Sequence, residues 1–333
     1  MDMGTGRVLY EQNADEPIPP ASLTKVLTMY MALERVQAGE VSLDAPVRVS
    51  RAAARTGGSR MSLRPQEWLP LESLLMGMAV SSGNDASAAV AEYLGGSQEA
   101  FVAQMNATAA ALGMSSSRFY NPHGLPAAGQ VTTARDMLRL SFSYLRAHPD
   151  ALRYHSTRFI RHNGVVSYNK NPLLGNCEGA DGLKTGWVNA SGYNLISTVR
   201  RGDTRLLAVI LGAENSKTRA REVYRLMEAG FVSTSARQRS VADVLPTLPP
   251  AAYSLTLSKT IHDAYATLAP EELARSAKAS KASKAKVQKK RDKASVQKAH
   301  ARKSPKSATA HKHRKRQTPA TESGQASLRR SKG

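Results

Sequence analysis

Apolar residues recur at helical spacing from residue 52 to about residue 151, and they follow a β-like pattern from residue 192 to residue 212. From Gly192 two β-rich runs follow, joined through Arg201-Gly202-Asp203-Thr204, a sequence typical of a hairpin turn. This change predicts a helical block followed by antiparallel strands. The block's periodic segments, separated by Gly, Pro and Asn, are Leu71–Val80, Ala86–Leu94, Ala100–Leu112 and Thr133–Leu145.

Elements are also predicted on both sides of this block. The run Arg7-Val8-Leu9-Tyr10 predicts a short strand, and a helix is predicted from Ser22 to about Val36, after a proline-rich approach. An amphipathic helix is predicted over residues 220–229. The predicted fold class is therefore α+β, an antiparallel sheet flanked by helices with a helical subdomain at about residues 50–160.

The charge of the chain is concentrated at one end. The formal net charge is +21, but residues 275–333 hold 20 Lys and Arg against Asp292 and Glu322, a net of +18, which leaves +3 for residues 1–274. This tail has almost no aromatic or β-branched residues, so we expect it to be disordered. The predicted organisation is a folded domain at 1–236, a Pro/Ala-rich linker at 237–274 and the basic tail.

Several functional classes are disfavoured by what the sequence lacks. The single cysteine, Cys177, excludes an intramolecular disulfide, and none of the histidines shows metal-ligand spacing with it, so no zinc site is expected. No apolar run approaches the roughly 20 residues of a membrane-spanning helix. The first residues show neither the basic nor the apolar part of a secretory signal.

Three short motifs carry the candidate chemistry. Ser22-Leu23-Thr24-Lys25 puts a hydroxyl and an amine on one face of a helix start, where the lysine can act as base for the serine. The spacing alone is weak evidence, because Ser167/Lys170, Ser283/Lys286 and Ser295/Lys298 share it. Ser82-Gly83-Asn84 and Lys184-Thr185-Gly186 follow in order, and each triplet occurs once. Together the three resemble the signature of class A β-lactamases and penicillin-binding proteins.

Residues 1–236 resemble more closely one branch of these enzymes, the serine D-Ala-D-Ala carboxypeptidases, or low-molecular-mass penicillin-binding proteins. The resemblance implies a β-lactamase/DD-peptidase-like fold and an acyl-enzyme mechanism on peptidoglycan stem peptides ending in D-Ala-D-Ala, with β-lactams as covalent inhibitors. It also implies that no metal or other cofactor is needed. The blocks that carry it are Pro19–Lys25, Gly58–Met61, Ser81–Ser87, Asn121–Pro126, Thr132–Asp136 and Asp181–Gly186.

The resemblance also implies a role for each motif residue. Ser22 is the expected nucleophile, Lys25 its proton acceptor and Ser82 a proton relay to the leaving amine. The residues expected to bind substrate are Asn84, Lys184, Thr185, Gly186, Trp187 and Arg219, with the backbone N–H groups of Ser22 and Trp187 as the oxyanion hole. Trp187 stands where relatives more often have histidine, which is expected to alter substrate preference.

Neighbouring polar residues have simpler interpretations. Pro and Gly on either side of His123 favour a turn residue over a general base. Asp85 and Asp181 flank the motifs and are expected to accept hydrogen bonds from the backbone.

Alternative functions remain open at this stage. A DD-endopeptidase would use the same residues, and its shortened architecture also fits this chain. A β-lactamase is disfavoured because no Glu-x-x-x-Asn element lies between Ser82 and Lys184, so slow deacylation of penicillin is expected. A non-catalytic penicillin- or envelope-binding protein is disfavoured because every catalytic position is intact.

The resemblance places the substrate outside the cytoplasm. We therefore expect the protein in the periplasm or on the outer face of the inner membrane, and attribute the missing signal to a truncated or wrongly assigned start. The basic tail is expected either to add solubility or to bind an anionic envelope surface. Nucleic acid is a weaker prediction because the tail lacks interleaved aromatic residues.

Overall fold

The computed structural model of the protein describes residues 1–235 and 240–248. The predicted basic tail and most of the predicted linker lie outside these residues. The helices are α1 (Thr24–Gln37), α2 (Arg51–Arg55), α3 (Leu71–Val80), α4 (Asn84–Gly95), α5 (Gln98–Ala111), α6 (Ala134–Ala147), α7 (Leu152–Ser156), α8 (Ser216–Ser235) and α9 (Val241–Val244). The strands are β1 (Pro46–Arg48), β2 (Trp68–Pro70), β3 (Phe159–His162), β4 (Val165–Tyr168), β5 (Ala180–Val188), β6 (Gly192–Arg201) and β7 (Thr204–Ala213). Short 3₁₀ turns occupy Ala21–Leu23, Pro149–Ala151 and Leu245–Thr247.

The predicted helical block forms helices α3 to α6, and local signals set their ends. Helix α3 has the predicted bounds, because Pro70 precedes it and the Ser82-Gly83 turn follows it. Ser97 caps α5 and Thr133 caps α6. Their hydroxyls accept hydrogen bonds from the backbone N–H groups of Ala100 and Asp136, respectively. Gly96 ends α4 in a left-handed conformation that costs glycine little.

The predicted hairpin is the centre of an antiparallel sheet with the order β5-β6-β7. Strand β5, which carries Lys184-Thr185-Gly186, pairs on one side with β6, so that Lys184 is opposite Ile196 and Trp187 is opposite Tyr193. No other described strand pairs with the outer edge of β5. That edge lies beside the 3₁₀ turn before α1, which brings two of the three sequence motifs together.

Helices cover both faces of this sheet. On one face, Leu183, Ile196 and Leu207 belong to a continuous core that they share with α1 and the helical block. On the other face, α8 packs on β6 and β7 through the apolar residues Leu195, Val199, Leu206, Ala220, Val223 and Met227. The shared core confirms the α+β fold class and supports our proposal that residues 1–236 form one domain.

Two features differ from the sequence-based expectation. Arg7–Tyr10 forms no strand, because Asp2 accepts hydrogen bonds from the N–H of Gly4 and the hydroxyl of Thr5 and so turns the chain. The backbone hydrogen bonds with β7 are made instead by Met1 and Met3. The hairpin of β3 and β4 was not predicted, since its strands are only four residues long.

The end of the described chain forms short helical turns. Ser240 and Asp243 cap α9 reciprocally, and Val241 and Val244 pack with Ala229 of α8. None of the helices in the described ranges combines the length and the apolar character needed to cross a membrane.

Candidate active site

Ser22 and Lys25 meet at the start of the α1 segment. The Ser22 Oγ lies 3.1 Å from the Lys25 Nζ. Ser22 is partly exposed, whereas Lys25 is fully buried. Ala21, just before the serine, has a φ of 49°, a conformation that costs a non-glycine residue about 1–3 kcal/mol. The surrounding packing must therefore hold Ser22 in place.

Gly124 provides part of that packing. It has a φ of 86°, and a Cβ added to it would lie 1.7 Å from the Ala21 carbonyl oxygen. No side chain fits there, so the Asn121-Pro122-His123-Gly124 turn packs directly against the residue before Ser22.

The amine of Lys25 is surrounded by hydrogen-bonding groups. It donates to the Asn84 Oδ1 and to the His123 carbonyl oxygen, both at 2.6 Å. Burial, and then the charge of Lys184, lowers the pKa of Lys25 well below its ordinary value of 10.5. A neutral amine has two N–H donors and one lone pair. A neutral Lys25 that donates to these two oxygens would keep its lone pair for the Ser22 hydroxyl, whose oxygen is 3.1 Å away.

The Ser82-Gly83-Asn84 motif forms the turn between α3 and α4. Ser82 is buried and has a φ of 58°. The amide nitrogen of Asn84 donates to the Gly57 carbonyl oxygen at 2.7 Å, which aims its Oδ1 at Lys25. Gly83 packs so closely on Met61 that an added Cβ would lie 3.1 Å from the Met61 nitrogen.

Asp85 organises the loop that borders this turn. Its carboxylate accepts hydrogen bonds from the backbone N–H groups of Met61, Ser62, Leu63 and Ala86. The expectation that Asp85 binds backbone donors is thus met, whereas Asp181 instead forms an ion pair with Arg205.

Lys184, Thr185 and Gly186 line the β5 edge beside the nucleophile. A Cβ added to Gly186 would lie 3.2 Å from the Ser22 nitrogen, so a glycine lets the strand approach the serine. Lys184 is fully buried in its pocket and donates to the Thr185 carbonyl oxygen at 2.9 Å. Burial, followed by the charges of Lys170 and Arg219, lowers the pKa of Lys184 to about 7.

Trp187 and Arg219 lie at the far end of this edge. Trp187 is 52% exposed, and its ring centre is 6.0 Å from that of its cross-strand partner Tyr193. Arg219 is buried, lies over the Tyr193 ring and is near enough to Lys184 to influence its pKa. The structure thus brings Ser22, Lys25 and Asn84 together beside the strand edge that carries Lys184, Thr185, Gly186 and Trp187, while Ser82 lies in the turn just before Asn84.

Sequence reasoning missed the backbone contribution of His123. Its carbonyl holds Lys25, while its Nδ1 accepts a hydrogen bond from the Leu125 N–H. Burial, and then Lys25, lowers the pKa of His123 to about 3, so the ring stays neutral. The Pro-His-Gly sequence predicted a turn, but it did not indicate that the His123 carbonyl would accept a hydrogen bond from Lys25.

The second Ser-x-x-Lys of the described chain does not form such a pair. Ser167 lies on β4, opposite Ile160, whereas Lys170 lies beyond the strand and its Nζ donates to the Ser59 Oγ at 3.2 Å. An extended backbone does not stack residues three apart as a helix does. The pairs Ser283/Lys286 and Ser295/Lys298 lie outside the described residues.

Within residues 1–235 and 240–248, no group of three or more His, Cys, Asp or Glu side chains is placed to hold a metal ion. A groove of about 680 Å³ between β7 and the N-terminal segment contains none of the predicted site residues.

Comparison with known proteins identifies the relatives of this chain. The sequence profile of the D-alanyl-D-alanine carboxypeptidases matches residues 1–215. The D-alanyl-D-alanine carboxypeptidase DacC of Escherichia coli is 38% identical over 238 residues, which cover 69% of this chain and 60% of that protein. The chain therefore spans less than two thirds of this curated relative.

Solved structures extend the similarity to the fold. Penicillin-binding protein 6B of Escherichia coli is 35% identical, with a TM-score of 0.67, over 69% of this chain and 75% of that one. Penicillin-binding protein D2 of Listeria monocytogenes, in its ampicillin-bound form, is 33% identical, with a TM-score of 0.63, over 69% and 94% of the two chains.

Proposed function

This chain belongs to the D-alanyl-D-alanine carboxypeptidase family, and we propose that it is a serine DD-peptidase that removes the terminal D-alanine from peptidoglycan stem peptides. One observation carries the proposal. The Lys25 Nζ lies 2.6 Å from both the Asn84 Oδ1 and the His123 carbonyl oxygen and 3.1 Å from the Ser22 Oγ, so a neutral amine that donates to the first two directs its lone pair at the Ser22 hydroxyl. This is the arrangement that makes a serine nucleophilic.

Acylation follows from this geometry. Lys25 accepts the hydroxyl proton as the Ser22 Oγ attacks the carbonyl carbon between the two D-alanines. The resulting oxyanion takes hydrogen bonds from the backbone N–H groups of Ser22 and Trp187. The C–N bond then breaks, and the proton passes from Lys25 through Ser82 to the departing D-alanine amine. The peptide remains as an ester on Ser22.

Hydrolysis completes the cycle. Water attacks the ester carbonyl, Lys25 accepts a proton from it, and the Ser22 oxygen leaves and is reprotonated. The chain lacks the Glu-x-x-x-Asn element that activates water in class A β-lactamases. A penicillin ester should therefore persist on Ser22, so β-lactams act as covalent inhibitors.

The other site residues bind the substrate in this proposal. The Lys184 amine and the Thr185 hydroxyl receive the terminal carboxylate, and Arg219 adds positive charge behind Tyr193. Asn84 fixes both Lys25 and the substrate amide, and Gly186 leaves space for the substrate backbone. The exposed Trp187 provides an apolar surface beside the leaving group, where it would influence substrate choice.

The test is the reaction itself. We expect the purified protein to form a stable adduct with fluorescent penicillin and to release D-alanine from a pentapeptide ending in D-Ala-D-Ala. A crosslinked dimeric muropeptide tests the alternative activity, since the DD-endopeptidase branch would cut that substrate and leave the pentapeptide intact. Labelling by penicillin without turnover of either peptide would support a non-catalytic binding protein and contradict our proposal.

The substrate chemistry also implies a location. Stem peptides are exposed outside the cytoplasmic membrane, so we propose that the protein acts in the periplasm or on the outer face of the inner membrane. Finding the native protein in the cytoplasm alone would contradict this.

We further propose that residues 275–333 attach the enzyme to an anionic envelope surface. Their sequence carries a net charge of +18, and each Lys or Arg near such a surface contributes about 1 kcal/mol at low ionic strength. Full-length protein should therefore bind an isolated envelope fraction at low salt and dissociate as salt increases. A variant ending at residue 274 is the control, and equal binding by the two proteins at every salt concentration would refute the attachment.

A further inference from the structure

A buried histidine outside the reacting group contacts the strand that carries Lys184. His155, on α7, is fully buried, and its Nδ1 lies 3.0 Å from the Leu183 carbonyl oxygen of β5. Its Nε2 lies 3.0 Å from the Tyr144 hydroxyl of α6. None of the catalytic steps above uses this residue.

These contacts determine the tautomer of the ring. A carbonyl oxygen only accepts hydrogen bonds, so the His155 Nδ1 must carry the proton and donate it to Leu183. The Nε2 is then the acceptor for the Tyr144 O–H. Burial, and then the charge of Lys184, lowers the pKa of His155 to about 3, so the ring stays neutral wherever the enzyme works.

The bonded carbonyl occupies a particular place on the β5 edge. Alternate residues of a strand direct their backbone groups to opposite edges. Since the Leu183 carbonyl points to α7, away from β6, the backbone groups of Thr185 and Trp187 point to the same outer edge, where substrate would bind. His155 thus binds the backbone of the outer edge at Leu183, two residues before Thr185, which is expected to bind the substrate carboxylate.

The preceding peptide group is held as well. The Gly182 carbonyl oxygen accepts hydrogen bonds from the Asn171 amide at 2.8 Å and the Ser197 hydroxyl at 3.1 Å. A slip of one residue in a strand sends every side chain to the opposite face. Fixing the carbonyls of Gly182 and Leu183 therefore fixes the direction in which Lys184 and Thr185 present their side chains.

We propose that His155 is a positioning residue, which sets carboxylate recognition by holding the Leu183 carbonyl and thereby aligning Lys184 and Thr185. The inference rests on the proposed DD-peptidase function. His155 touches neither Ser22 nor substrate in this scheme and acts through the backbone of β5.

The test compares a penicillin with its methyl ester, which lacks the carboxylate. In His155→Phe the ring is retained but the donor is lost, and a misplacement of about 1 Å can reduce a rate about 100-fold. We expect the acylation rate constant for penicillin to fall by about that factor, and the penicillin-to-ester rate ratio to fall with it. Partial unfolding would lower both rates equally and leave the ratio unchanged.

Two variants serve as matched controls. His155→Asn keeps an N–H near the Nδ1 position and should restore most of the ratio. Tyr144→Phe removes the hydroxyl but leaves the bond to Leu183, and should stay within about threefold of wild type because only a supporting hydrogen bond is lost. An unchanged ratio in His155→Phe, or no recovery in His155→Asn, would overturn the inference.

A measurement on the unaltered protein covers the case in which His155→Phe does not fold. Nitrogen NMR of the imidazole should show the neutral Nδ1–H tautomer from about pH 5 to 9, and the opposite tautomer would overturn the inference. If wild-type protein is not acylated by penicillin at all, the proposed function fails first. Normal wild-type acylation with an unaffected His155→Phe ratio instead counts against His155 alone.

Discussion

Replacing Ser22 with alanine will abolish both penicillin labelling and D-alanine release. Within residues 1–235 and 240–248, no hydroxyl other than that of Ser22, at the strained turn before α1, is hydrogen-bonded to the Lys25 amine. Loss of the nucleophile in a serine hydrolase lowers turnover by about 10⁶-fold, which is below detection here. Mass spectrometry of the intact protein after incubation with penicillin measures the adduct directly, and an enzyme-coupled assay measures D-alanine.

The chain contains a matched control for this variant. Ser167→Ala removes the serine of the other described Ser-x-x-Lys, which β4 keeps away from its lysine. It should label and turn over like wild type. Ser22→Ala protein that is folded, as judged by its melting temperature, and still forms a penicillin adduct would refute Ser22 as the nucleophile.

Replacing Lys25 with methionine will reduce acylation by about 10²–10⁴-fold, the usual contribution of a general base. Methionine fills a similar volume but cannot accept the Ser22 proton. It also leaves the Asn84 Oδ1 and the His123 carbonyl without their donor, so the variant should be less stable. Acylation is therefore measured with stopped-flow fluorescence below the melting temperature of the variant.

The Lys25→Arg variant distinguishes a role of Lys25 in proton transfer from a role of its positive charge. Arginine keeps a positive charge but does not deprotonate in proteins. If Lys25 acts as the base, the arginine variant should be about as slow as the methionine variant. Near wild-type acylation by folded Lys25→Arg would show that a fixed charge is sufficient and would contradict the proposed step.

The pH dependence of acylation tests proton acceptance by Lys25 in the unaltered protein. As the pH falls through the lowered pKa of Lys25, the amine becomes protonated and loses its lone pair, so the rate should fall on the acid side. As the pH rises above about 7, free Lys184 loses the charge that attracts a carboxylate, so kcat/KM should fall again. The Lys25→Met variant should lack the acid limb.

Local sequence signals predicted much of the fold. Helices α3 to α6 and the β6-β7 hairpin each depend on spacing, caps and turn residues within one segment, and these interactions do not need distant partners. Arg7–Tyr10 has the composition of a strand but belongs to none of the described sheets. A strand requires a second segment to complete its hydrogen bonds, and composition does not supply that information.

The sequence by itself determined the proposed reacting pair, because Ser22 and Lys25 are one helical turn apart and the geometry of the turn brings them together. Only the tertiary structure decided which groups surround the Lys25 amine and lower its pKa. Asn84, the His123 carbonyl and Lys184 come from distant segments, and burial among them is what lowers its pKa. The proposed role of His155 also depends on the tertiary structure, because neither the α7 nor the β5 sequence indicates a hydrogen bond between His155 and the Leu183 carbonyl. Desolvation and long-range hydrogen bonds are properties of the packed chain, whereas helical spacing is already present in the order of its residues.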